Sequence, residues 1–229
     1  MSKPTLETNR TDIVAALARG VASACPIIGG LIAEAVNQII PNQKLERVID
    51  YLRLLDQKIA AFDEDLGHVA DRLRDERGLD LFEDGILQAA RAISQERREH
   101  LASLLARSLT QDELKYAESK KLLNLLRELT DPELVLLVYY SESPYFGSQR
   151  DRELMEKHPE ILRPASREYG ISQEEIDRGA LQDSYLNTLT RLGLLQQRNK
   201  SFEVTALSRL LLRYILDKGT YNDPGTDQT

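Results

Sequence analysis

This chain of 229 residues contains no tryptophan, one cysteine and only 6% aromatic residues. The lone Cys25 excludes an internal disulfide and fits a reducing compartment. Runs of β-branched residues are few, while leucine and alanine dominate; that balance favours helices over sheets. Long apolar runs are missing too. The longest uncharged stretch, Gly20 to Ala33, has fourteen residues, short of the roughly 18–20 that span a bilayer. The start, Met1 to Arg10, is polar and lacks the apolar core of a signal peptide. A cytoplasmic, bacterial-style protein is expected. Positive charge is also scarce: 30 Lys and Arg stand against 37 Asp and Glu, a net charge of −7. Nucleic-acid binders usually show the reverse balance.

The residues that carry chemistry are equally sparse. His68, His100 and His158 sit far apart, without companions at metal-ligand spacing. Cys25 lies beside Pro26 in an apolar run, whereas a low-pKa thiol needs a polar, cationic setting. Gly29-Gly30 follows no strand and lacks the lysine of a phosphate loop. Acids such as Asp63, Glu64 and Asp65 are ordinary on a solvated helix face. No catalytic, cofactor-binding or metal-binding residue is assigned, and the expectation is a protein that is not an enzyme and holds no cofactor.

What the chain does have is one regular stretch. Leu45, Val48, Leu52, Leu55, Ile59, Phe62, Leu66, Val69 and Leu73 recur in steps of three and four. That is the seven-residue repeat of a helix burying a narrow seam. A continuous helix here would be a rod of roughly 45 Å. It needs a partner, because helices gain most of their stability from packing an apolar face. Arg77-Gly78 reads as its end, and Asp80 as the cap of a second long helix, Leu81 to Leu109. The short connection predicts a long antiparallel hairpin. Within the second helix the run Ser94 to His100 interrupts the apolar face. It reads either as a solvated stretch or as a partner-contact patch of Glu96, Arg97, Arg98 and His100. The seam can also pair between chains, which would make a homo-oligomer.

Ahead of the rod, Ala15 to Ile40 is rich in glycine and alanine. It reads as a helical hairpin packed on the rod, or as a conditional membrane inserter that acts only when released. Arg19 and Glu34 count against stable insertion.

The expected fold class is mainly α. Residues 1–130 form a helical bundle with the long hairpin, 131–218 a second domain and 219–229 a flexible tail. Thr130-Asp131-Pro132-Glu133 is a strong helix start. Ser172 and Glu175 make a capping box for a short helix to Arg178. Another helix, Leu181 to Leu192, would turn Leu181, Tyr185, Leu186, Leu189 and Leu192 inward. Gly193 stops it, two short strands flank the turn Arg198 to Ser201, and Thr205 caps a last helix.

The segment LQDSYLNTLTRLGLLQQRNKSFEVTALSRLLLRYI resembles a winged helix-turn-helix module, most tellingly in the LGLL stop and the restart at Thr205. The resemblance implies candidate nucleic-acid contacts at Gln182, Asn187, Arg191, Arg198 and Lys200. Charge opposes that use: residues 131–229 hold twelve Lys and Arg against sixteen Asp and Glu. A further resemblance joins ERREHLASLLARSL and LTDPELVLL to that winged end. Over Leu81 to Leu216 the order is similar to that of bacterial Abi-alpha-type proteins, the group associated with abortive infection. It implies phage defence through cell shutdown. The function expected is a non-enzymatic protein-interaction scaffold in phage defence or stress response. A DNA-binding regulator and a membrane-disrupting effector are the alternatives.

Overall fold

The structure, a computed structural model, describes residues 45–62, 66–111, 115–142, 149–166, 170–199 and 201–216. They form ten helices and one ribbon. The order is α1 (Leu45–Ala60), α2 (Leu66–Arg74), α3 (Glu76–Arg91), α4 (Gln95–Thr110), α5 (Tyr116–Glu128), α6 (Asp131–Glu142), α7 (Gln149–Lys157), α8 (Pro159–Leu162), α9 (Gln173–Arg191), β1 (Leu195–Arg198), β2 (Ser201–Val204) and α10 (Ala206–Ile215). The protein is therefore mainly helical. The chain divides between Asn124 and Leu125, inside α5, into two compact units. The Gly/Ala-rich segment 15–40 lies outside the described residues, as do the tail 219–229 and Lys200.

In the first unit the expected seam is real but the rod is not. Val48, Leu52, Leu55 and Ile59 of α1, and Val69 and Leu73 of α2, are buried as their spacing requires. The helix nevertheless stops at Ala60. Phe62 N–H bonds the Ile59 carbonyl at 3.1 Å, an i→i+3 closure that tightens the last turn. The half-buried Phe62 ring then faces the Arg107 guanidinium, 5.8 Å from its centroid. Among the described residues the buried seam side chains pack within the unit, chiefly against α4 and α3.

The second long helix is likewise broken. Asp75, not Asp80, caps α3, accepting from the Arg77 amide at 3.1 Å. Gly78 lies inside that helix instead of ending the one before. A Cβ there would collide with the Arg72 carbonyl, so the glycine permits α3 to pass close over the end of α2. α3 ends at Arg91, and Ser94 starts α4 by accepting from the Arg97 amide at 3.2 Å. The hairpin is thus α3 folding back on α4, with Gly85 facing Leu105. α1 is not its antiparallel arm. Asp50 lies beside Arg98, and further along Phe62 lies beside Arg107, so α1 and α4 run in the same direction.

The second unit is built around α6. That helix is apolar on nearly every side, with Leu134, Leu136, Leu137 and Tyr139 buried, as expected of a helix enclosed by neighbours. It contacts α7, α8, α9, β2 and α10. Thr130 begins it by donating N–H and O–H to the Glu133 carboxylate at 2.6 and 2.9 Å. β1 and β2 pair antiparallel, Leu195 opposite Val204 and Arg198 opposite Ser201. Asn199 takes the positive φ of the turn, 49°. Tyr140 of α6 packs edge-on against Phe202 of the ribbon, centroids 5.9 Å apart.

Candidate interaction surface

The surface formed by α9 and the ribbon begins with a helix longer than its sequence suggests. Ser172 caps it, accepting from the Glu175 amide, and it runs unbroken for 19 residues through Gly179. Two side chains on its inner face hold the preceding connection. Gln182 donates to the carbonyls of Ile161 (2.9 Å) and Arg163 (2.7 Å), and accepts from the Ala165 amide (3.2 Å). The Glu175 carboxylate accepts from the Ser166 amide at 3.0 Å and pairs with Arg178 at 2.5 Å. That amide, with Arg178 and Arg163 adding, holds the Glu175 carboxyl below the usual carboxylate range.

These bonds settle the phase of α9. Leu189 is its fully buried residue, and Arg178, Gln182 and Tyr185 share that side. Leu181 is therefore not turned inward. It is 54% exposed, and Ile176 is 48% exposed.

Gln182, a candidate nucleic-acid contact, has its amide committed to backbone groups. Asn187 is exposed on the outer face. Arg191 is exposed but lies 3.8 Å from Glu128, and Arg198 lies 3.9 Å from Glu203 across the ribbon. Both exposed cations among the described residues of this surface thus have a carboxylate within 4 Å. At the far end of the ribbon Thr205 caps α10 and donates its hydroxyl to the Gly193 carbonyl at 2.7 Å. The Ser208 hydroxyl donates to the Leu194 carbonyl. The ribbon is fixed to the helix on either side of it.

In the first unit the candidate patch at the start of α4 does not form one surface. Glu96 is exposed, and Arg97 and His100 are half-buried. Arg98 turns the other way and is 9% exposed. Its Nη1 donates to the carbonyls of Ala92 and Ile93, each at 3.1 Å, and its Nη2 lies 3.9 Å from Asp50. One guanidinium thus holds the α3–α4 corner, where backbone groups have left the helical ladder. Ile93, whose carbonyl it pins, is 82% exposed.

A polar cluster that the sequence did not reveal joins α3 to α5 within this unit. Lys120 Nζ lies 2.7 Å from Asp80 and 3.0 Å from Asp84, and the Tyr116 hydroxyl donates to Asp80 at 2.9 Å. Arg77 stands 5.9 Å over the Tyr116 ring. The Lys120 ammonium holds Asp80 below its ordinary pKa, with Tyr116 contributing. Partial burial opposes the charge on Lys120, but its bonds to the two aspartates outweigh that and raise its pKa. A lysine kept protonated in this way is a clasp, not a nucleophile. The spacing Asp80–Asp84 and Tyr116–Lys120, four residues in each helix, was the available signal.

Among the described residues no group of three His, Cys, Asp or Glu side chains could hold a metal ion, and no helix is long and apolar enough to cross a membrane. No family model, curated protein or solved structure matches this chain.

Proposed function

We propose that this protein is a non-enzymatic interaction scaffold whose second unit is a winged-helix-like module turned to protein binding. The order α6, α7 with α8, α9, ribbon, α10 supports the module. One observation carries the choice of partner class: where a recognition helix would present cations, α9 presents half-exposed Ile176 and Leu181. Among the described residues of α9 and the ribbon only two exposed cations, Arg191 and Arg198, stand nearby, too few to displace many counterions from a phosphate backbone. The organised polar clusters, around Arg98 and around Lys120, are directed to helix termini and neighbouring helices and gather no reacting constellation. The resemblance of Leu81 to Leu216 to abortive-infection proteins supports a place in phage defence or stress response.

The test uses the full chain carrying a photo-crosslinking residue at position 181, activated in the native host. Protein adducts are expected, with none to nucleic acid. A parallel titration of generic duplex DNA at low salt is expected to give no shifted band. A shift that weakens steeply with salt would overturn the reading in favour of a DNA-binding regulator.

A further inference from the structure

The outer face of α9 has a regular order of its own. Asp177, Ser184 and Arg191 are seven residues apart, close to two helical turns, and so fall on one line. All three are exposed. Ile176 and Ala180 flank the line on one side and Leu181 on the other, each exposed. An acid thus stands near the start of the line, a base near its end about 21 Å away, and a small hydroxyl midway. Asp177 accepts a hydrogen bond from the Gln173 amide at 2.8 Å and makes no ion pair among the described residues. Among the described residues Arg191 has only the 3.8 Å approach of Glu128, and both partners of that pair are largely solvated, so it is weak and exchangeable.

We propose that this face docks on the same face of a second copy of the chain, the two α9 helices crossing antiparallel about a two-fold axis at Ser184. In that arrangement Asp177 of each copy meets Arg191 of the other, twice over. Ala180 and Ser184 at the crossing let the backbones approach closely, and Leu181 and Ile176 lose their exposure to water. Such a contact is isologous and closes after two subunits. A parallel pairing would set Asp177 against Asp177 and Arg191 against Arg191. The antiparallel sense also opposes the two helix dipoles favourably. The proposal names the partner for the interaction face described above and rests on that reading; the seam of α1, being buried, takes no part.

Sedimentation equilibrium of the full chain tests it. The wild type is expected to reach twice 26.0 kDa at tens of micromolar. Asp177→Arg and Arg191→Asp are each expected to weaken association at least tenfold, while circular dichroism stays unchanged because both side chains are exposed. Mixing the two variants should restore dimers, as each then meets its opposite. The double variant D177R/R191D should dimerise alone, since both pairs return with their signs exchanged; a parallel pairing, which already carries two like-charge contacts, would not be weakened by either single substitution. A wild type of single mass throughout overturns the inference, as does a dimer indifferent to both substitutions. A duplex shift that depends on Arg191 would also overturn it by giving the face to nucleic acid. A monomer that still forms protein adducts through position 181 would sink the self-pairing and leave the scaffold reading standing.

Discussion

Tyr51 is wholly buried, yet its hydroxyl has no hydrogen-bond partner among the described residues. Burial drives its pKa far upward, so it stays neutral, but a neutral hydroxyl still loses its water. The hydroxyl points at Gly85 of α3, where a Cβ would collide with it. Gly85 is thus required by one oxygen atom. Ala at this position should gain helix propensity but suffer overpacking, a net loss of roughly 1–3 kcal/mol. Tyr51→Phe removes the oxygen and should be neutral or stabilising by about 1 kcal/mol, because an unsatisfied buried group goes with it. In the Tyr51→Phe background the nearest ring atom would stand 3.4 Å from the new Cβ, so Gly85→Ala should cost far less there. Urea melts of the four proteins form a double-mutant cycle. Additive losses would show that the collision is not what Gly85 avoids.

At the scale of elements, the clasp between α3 and α5 makes a pH-dependent contribution with a definite sign. Asp80 is held below its ordinary pKa of 3.8, so its share of stability is present above that pH and fades as pH falls through the lowered value. Lys120 is raised above 10.5, so its share is complete below that pH and is lost as pH rises through the raised value. Tyr116, raised above 10.0 chiefly by its bond to Asp80, is lost in the same alkaline direction. Lys120→Met leaves Asp80 and Asp84 facing each other without the cation. At neutral pH the thermal midpoint should fall by about 2–4 °C. Its decline towards acid should flatten or reverse, since protonation now relieves repulsion. An acid slope equal to that of the wild type would remove the clasp from the account of stability. The same elements show what the sequence discloses. Three-four spacing placed Val48, Leu52, Leu55 and Ile59 inside, because periodicity reports which side of a helix is covered. It does not report continuity: α2 resumes the seam of α1 after a break, with Val69 and Leu73 again inside. Gly78 was legible as a glycine with a task, but a stop and a close approach look alike until Arg72 is seen beside it. Ser94 with Glu96 in the following turn was a readable helix start. Arg98 hid it, because a buried arginine whose Nη1 donates to backbone carbonyls looks in sequence like one more charge in a solvated run.

For the whole molecule, the decisive fact is that apolar side chains collect in two places. Leu52, Leu55, Ile86 and Leu104 belong to the first compact unit; Leu137, Leu189, Leu194 and Leu211 belong to the second. The candidate face on α9 was only half legible for a related reason. Its capping box, strand pair and final cap were written locally, but the inward or outward turn of Leu181 depended on Gln182 reaching carbonyls some twenty positions earlier. Two cores imply that damage to one need not open the other. Leu52→Ala and Leu211→Ala each delete a fully buried side chain, at a cost of roughly 2–5 kcal/mol. Hydrogen exchange should then lose protection in α1, α3 and α4 for the first substitution and in α6, the ribbon and α10 for the second, each sparing the other set. The self-pairing face lies wholly in the second unit, so Leu52→Ala should also leave the sedimenting mass unchanged while Leu211→Ala lowers it. Equal loss of protection throughout, for either substitution, would make the chain a single cooperative body and deny the second unit an independent role as the docking module.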